Sequence, residues 1–324
     1  MTDARSAPGG IRRLEFHISY DCGQACLFCS EADRMKRWKA APVTAAEMAR
    51  VLAVKRRQGF DHVTFTGGEP TLVQGLAGAL RAAKGLGYAT YVTSNGSRLC
   101  ERDFADRILP LIDELCLSVH GDDLVLHDEL TRTPGGFERL RTALAHAGSR
   151  EGLFLLTNTV VTAANWGRLE DILGFILRQK GVQHILLSHV APEGRGARGY
   201  AGLAVPFSEW KKRIPGLARR AREKGVTLRF FGLPLCVLGS CAVLSNDLYF
   251  SPRVTVERGR VDGTPGLVEI TSLKPTRRRV QPPVCAECSC RDLCGGVFER
   301  HLAEFGAKDL APLRADSVLK GAAP

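Results

Sequence analysis

Cys22, Cys26 and Cys29 form a C-x3-C-x2-C run, CGQACLFC, directly after an apolar segment with the character of a strand. Soft thiolates this close together can each bind one iron of a cubane cluster, with a short loop wrapping the group. The run contains no fourth cysteine. One iron would therefore lack a protein ligand, and an open metal position is where substrate chemistry takes place. A structural zinc site is the competing reading, but zinc usually adds a second cysteine or histidine pair, which this run does not offer.

A second reactive segment, TFTGGEPTL (Thr64–Leu72), follows about forty residues later. Gly67 and Gly68 permit unusual backbone angles and close approach of a ligand. Glu69 and the exposed backbone groups suit an ammonium, and Pro70 stiffens the exit from the turn. Alone, such a turn says little. Coupled to the cysteine run and to regular strand–helix alternation, it becomes specific.

The chain holds 11 cysteines in 324 residues, three at 22–29 and six at 236–294, with Cys100 and Cys116 between them. Those two read as small buried hydrophobes. The first ten residues, MTDARSAPGG, contain no apolar stretch, and no run approaches the ~18 residues that span a bilayer. A cytoplasmic protein is expected. In that compartment cysteines argue for metal binding over disulfides. The formal charge of +11 favours acidic partners, with basic runs at Lys211–Arg213, Arg219–Lys224 and Lys274–Arg279. No aromatic-interleaved basic motif supports nucleic-acid binding.

Six strand segments alternate with helices: Leu14–Ser19, His62–Thr66, Thr90–Ser94, Glu114–His120, Phe154–Val161 and His184–Val190. Each is short and rich in branched or aromatic residues, as a buried parallel strand should be. Thr44 and Glu47 form a T-x-x-E capping box, with Val43 and Met48 placed as a hydrophobic staple. Asn165 is expected to cap a helix with Leu169, Ile172, Leu173, Ile176 and Leu177 on one face, ended by Gly181. Ser208–Lys224 is helical in pattern, with a kink or split expected at Pro215–Gly216.

These units predict an α/β fold, a partial (β/α)6 TIM-like barrel with its chemistry at the carboxyl ends of the strands. Past about Phe231 the alternation stops, a hairpin-like stretch appears (Leu248–Glu257, then Gly263), and cysteines cluster. The expected domains are a barrel over 1–231 and a small cysteine-rich unit over 232–324.

The cysteine run and the GGEP turn together resemble the radical S-adenosylmethionine superfamily, over roughly residues 12–195. The resemblance implies that Cys22, Cys26 and Cys29 hold a 4Fe-4S cluster whose unique iron chelates S-adenosylmethionine. It places Phe28 near the adenine and Gly67, Gly68, Glu69 and Pro70 at the methionine ammonium. TSNG makes Ser94 and Asn95 contacts around the cofactor, and LSVHG places Ser118 near the ribose or carboxylate. His120 stands where many relatives carry an acid. HDELTRTPGGF suggests Arg132 as a partner for the cofactor carboxylate, and Val190 would offer backbone to the adenine.

The C-terminal cysteines resemble the auxiliary-cluster extension called SPASM, or its shortened twitch form. One auxiliary 4Fe-4S cluster is implied, held by Cys285, Cys288 and Cys294 with Cys236 as fourth ligand. Cys241 and Cys290 are rivals for that place, and zinc is the alternative metal. Phe298 occupies the position of a further cysteine in the full pattern.

The chemistry implied is reductive cleavage of S-adenosylmethionine to methionine and a 5′-deoxyadenosyl radical, which abstracts hydrogen from a substrate carbon. The leading substrate is a peptide or amino-acid-derived molecule, oxidised or cross-linked, with flavodoxin or ferredoxin as reductant. About ten residues precede the first strand, so the N-terminal peptide-binding domain of many such maturases is expected to be missing. Cofactor or tetrapyrrole maturation is the alternative, since multiple carboxylates would suit the positive charge. A non-enzymatic iron–sulfur or zinc nucleic-acid-binding protein explains the charge but neither GGEP nor the alternation. No catalytic acid or base is assigned.

Overall fold

The protein is described here by a computed structural model over residues 10–314. Seven parallel strands follow one another in chain order across the sheet: β1 (Arg13–Ser19), β2 (His62–Gly67), β3 (Ala89–Ser94), β4 (Glu114–Ser118), β5 (Phe154–Val161), β6 (Val182–His189) and β7 (Thr227–Phe231). Each crossover steps one strand in the same direction, so right-handed connections put the helices on one face. Alternation then sorts the side chains. Leu14, Phe16 and Ile18 of β1 are fully buried toward the helices, as are Val63 and Phe65 of β2. Each such side chain contributes about 1.5–3 kcal/mol by leaving water. Glu15, His17, Thr64, Thr66, Tyr91 and Thr93 alternate with them and line a polar cavity of about 550 Å³ on the concave face.

The partial barrel has seven parallel strands where six were expected. The additional strand is TLRFF at 227–231, which follows a basic helix and buries Leu228 and Phe230. The preceding helix, Phe207–Glu223, runs unbroken through Pro215. Trp210, Ile214, Leu217 and Ala221 form its buried stripe, while Pro215 is exposed. The carbonyl that its missing N–H leaves unpaired therefore sits on the solvent side.

The capping box at Thr44 and Glu47 forms as expected on helix Ala45–Arg57, and Val43 and Met48 are buried. Asn165 plays a different part. It is the third residue of the short helix Ala163–Trp166, where its side chain accepts from Thr162 N–H, and the next helix, Leu169–Leu177, follows Arg168. That helix ends before Arg178, so Gly181 belongs to the turn entering β6. Cys116 is buried as expected, but Cys100 is half-exposed.

Beyond β7 the chain returns to the sheet. The hairpin β8 (Arg253–Val261) and β9 (Thr264–Ser272) turns at Asp262 and Gly263, both with positive φ (49° and 78°), the geometry that matches strand twist. β8 pairs in parallel with β1, placing Val256 beside Phe16. The resulting nine-stranded sheet has the order β7-β6-β5-β4-β3-β2-β1-β8-β9. The cysteine-rich segment carries β10 (Arg279–Val280) and β11 (Val297–Phe298), paired antiparallel, and the helix Glu299–Phe305. Among the described residues, no helix is long and apolar enough to cross a membrane.

Candidate iron–sulfur and cofactor site

The cysteine loop leaves the carboxyl end of β1 and lies against the turn that leaves β2. Gly68 N–H donates to Ser19 carbonyl and Glu69 N–H to Asp21 carbonyl, both at 2.8 Å. The approach is too close for a side chain. A Cβ at Gly67 would stand 2.3 Å from the Ser19 oxygen, and one at Gly68 would stand 2.3 Å from the Asp21 oxygen. Gly67 also has φ +120°, which other residues rarely adopt.

Glu69 is fully buried. Its carboxylate accepts from Thr71 N–H (3.0 Å), Thr71 Oγ1 (2.7 Å), Ser94 Oγ (2.8 Å) and Asn95 N–H (2.7 Å). Burial pushes its carboxyl above the usual range, while these four donors pull it down. Glu69 and Ser94 therefore lock the β2 turn to the end of β3. Asn95 reaches further, its Nδ2 lying 3.6 Å from Cys22 Sγ.

Within the loop, Gln24 N–H points to Cys22 Sγ at 3.4 Å and Cys26 Sγ to Gln24 Oε1 at 3.5 Å. Ala25 and Leu27 N–H groups bond the Thr131 and Leu130 carbonyls. Phe28 is buried beside Val190, Leu130 and Tyr200, and meets His120 edge-on with ring centroids 4.6 Å apart. Phe28 and Val190 thus share one apolar wall. Ser118 is half-buried at the end of β4. Arg132 is exposed, in the left-handed C-cap of helix Leu124–Thr131. Its motif neighbour Asp128 is occupied in capping, accepting from Gly135 and Phe137 N–H.

Burial raises the Cys22 and Cys26 thiols to about 11 and about 12 and also raises Cys29; the Cys29 sulfur adds to the rise at both, and Cys22 to that at Cys26. A soft metal would have to displace these protons, as thiolate ligation normally does. Among the described residues no three His, Cys, Asp or Glu side chains converge where one ion could sit. A cubane asks for something else, because its thiolates bind separate irons. Three partly accessible thiols with N–H groups on one sulfur fit that demand.

The second cysteine group has similar features. Burial raises Cys236 and Cys285, and the sulfurs add to it: Cys294 and Cys288 act on Cys236, and Cys236, Cys294 and Cys288 act on Cys285. Backbone N–H groups meet Cys236 (from Ala311), Cys294 (from Leu235 and Gly296) and Cys288 (from Leu313, 3.3 Å). Cys290 is buried and adjoins Cys288 and Cys294, while Cys241 lies on the turn Gly239–Leu244.

Sequence reasoning missed the cavity's charged wall and Arg195. His17 lies between Glu15 Oε1 (3.2 Å) and Glu31 Oε2 (3.3 Å), and Arg253 meets Glu15 at 3.2 Å. Burial opposes charge on His17, but the two carboxylates outweigh it and raise the imidazole to about 9. Arg195 follows β6 and bonds the Cys26 carbonyl. The alternation of Glu15 and His17 along β1 was visible, as was the PEGRG run, but neither carries a known spacing for a ligand.

The structure thus sets a three-thiol loop, braced by a double-glycine turn, at the carboxyl end of the first strand of a partial α/β barrel. The family model described as the radical SAM superfamily matches residues 16–176, and the chain belongs to that superfamily. It is 28% identical over 182 residues to an S-adenosylmethionine-dependent nucleotide dehydratase of Lacinutrix mariniflava, covering 54% of this chain and 38% of that protein. It is 26% identical over 207 residues to a PqqA peptide cyclase of Rhizobium meliloti, covering 64% of this chain and 54% of the relative. The chain thus spans about half or less of these relatives' length. Among solved structures, Streptococcus suis SuiB bound to S-adenosylmethionine superposes with a TM-score of 0.55 at 19% identity, over 68% of this chain and 50% of SuiB. That likeness concerns the fold.

Proposed function

We propose that this protein is a radical S-adenosylmethionine enzyme acting on a peptide or an amino-acid-derived substrate. Cys22, Cys26 and Cys29 would hold the 4Fe-4S cluster and leave one iron for the amino and carboxyl groups of S-adenosylmethionine. When bound, the cluster and S-adenosylmethionine would supply one-electron cleavage of the sulfonium to methionine and a 5′-deoxyadenosyl radical for hydrogen abstraction from the substrate. The chain's own residues do the rest. The backbone of Gly67–Pro70 borders the methionine end, with Glu69 and Ser94 bracing it from behind. Asn95 adjoins the Cys22 sulfur. Phe28 would lie near the adenine with Val190 offering backbone to it, Ser118 would lie near the ribose or carboxylate, and the exposed Arg132 would pair with the carboxylate.

The observation that carries this reading is the union of cysteine loop and GGEP turn through the Gly68 and Glu69 N–H groups. The polar cavity within the barrel, bordered by Ser30, Glu31 and Thr66 near the cysteine loop and the β2 turn, has the volume of a small-ligand site. A peptide substrate is supported by the named activity of the PqqA peptide cyclase and by SuiB, whose structure is also known with its precursor peptide SuiA.

The unit over 232–324 would carry a second cluster on Cys285, Cys288 and Cys294, with Cys236 as fourth ligand and Cys290, which also adjoins Cys288 and Cys294, or Cys241 as rivals for that place. Reductant would come from a flavodoxin or ferredoxin in the cytoplasm. Anaerobically reconstituted protein given dithionite and S-adenosylmethionine should form 5′-deoxyadenosine and methionine, detected by liquid chromatography. Fully iron-loaded protein that forms neither would overturn the assignment.

A further inference from the structure

The segment after β6 reaches back to the cysteine loop through Arg195, by its side chain and its backbone. Arg195 Nε donates to the Cys26 carbonyl at 2.7 Å, and its backbone N–H donates to the Cys29 carbonyl at 2.9 Å. The flanking glycines make this approach feasible. A Cβ at Gly194 would stand 2.4 Å from the Cys29 oxygen, and one at Gly196 would stand 3.2 Å from the Phe28 oxygen.

Arg195 is half-buried, and among the described residues no carboxylate forms an ion pair with it. Nearby arginines differ: Arg198 pairs with Asp33 at 2.7 Å and Arg277 with Glu193 at 3.0 Å. A guanidinium keeps its charge at every pH the protein tolerates. A partly desolvated cation without a counter-charge costs free energy unless something anionic meets it. Its two bonded partners are carbonyls of the cysteine loop, those of Cys26 and Cys29.

We propose that Arg195 is a positioning residue that anchors the cysteine loop and keeps a fixed positive charge beside the cluster, making the cluster easier to reduce. This rests on the reading of Cys22, Cys26 and Cys29 as a 4Fe-4S site. Three thiolates make the bound cluster anionic, and its one-electron reduction from the 2+ to the 1+ core adds a further negative charge. A cation held nearby stabilises the reduced form more than the oxidised one.

The test is a redox titration of the reconstituted full-length protein with dithionite, monitored by electron paramagnetic resonance. The signal followed is the one that changes when S-adenosylmethionine is added, which separates this cluster from any other. In R195Q the ratio of reduced to oxidised cluster at a fixed potential should fall about tenfold, a negative shift of about 59 mV. R195K keeps the charge and should stay near wild type. Loss of iron from R195Q but not from R195K supports the proposal as well. Equal midpoints in all three proteins overturn it, as does an equal shift or equal iron loss in both variants. An S-adenosylmethionine-responsive signal with an unmoved midpoint sinks this inference alone, whereas wild type lacking that signal sinks the cofactor reading beneath it.

Discussion

Glu69 carries no exposed surface, yet it ties together two motifs 25 residues apart in the chain, the GGEP turn and TSNG. Its four donors make it a bracket for the cofactor turn, with its own oxygens occupied. Glu69→Gln keeps the shape but turns an amide NH2 toward groups that are themselves donors. Leaving buried donors unmet costs about 1–3 kcal/mol. We expect Glu69→Gln to lower stability by about 2 kcal/mol in urea unfolding and to weaken iron retention. Ser94→Ala removes one donor of four and should cost about 1 kcal/mol. Both motifs were legible as residue patterns. Which oxygen meets which donor was not, since that depends on β2 and β3 lying side by side.

The hairpin β8–β9 depends on a few polar fasteners. Arg258, almost fully buried, binds both Glu47 oxygens at 2.8 Å, and Lys55 meets Glu269 at 2.6 Å. Glu47 therefore caps its own helix and clamps the hairpin. Its hydrogen bonds from Arg258 hold its carboxyl at about 2, down from the usual 4.5. A depressed carboxyl contributes stability that is fully present above about 4.5 and is lost as the pH falls toward 2. Glu47→Gln should therefore unfold at lower urea than wild type at pH 7, with the gap narrowing as the pH is lowered from 5 toward 3. A gap that stays constant with pH would show that Glu47 acts by packing alone. The capping box was readable from T-x-x-E spacing, because a cap is local. The clamp joins residues 211 apart and needed the hairpin to fold against the sheet edge.

Taken as one object, the molecule joins its cysteine groups through a single sheet, since β8 lies beside the β1 strand that launches the first loop. Two cubanes would give about eight irons per chain. Cys236→Ala and Cys285→Ala should each bring the count to about four with S-adenosylmethionine cleavage retained, whereas Cys241→Ala should leave the iron content unchanged. Iron analysis and 5′-deoxyadenosine formation check both points. By itself the sequence determined the first cysteine triad, the GGEP turn, six of the seven parallel strands that run in chain order and the change of pattern near 231. These follow from short-range spacing and from the two-residue and 3.6-residue periods of strands and helices. Only tertiary structure decided that β7 and β8 extend the sheet, that Pro215 breaks nothing, and that Arg195 touches the cysteine loop. Strand order, the solvent side of a helix and a contact spanning 169 residues are set by how packed surfaces meet, and no local pattern in the chain encodes them.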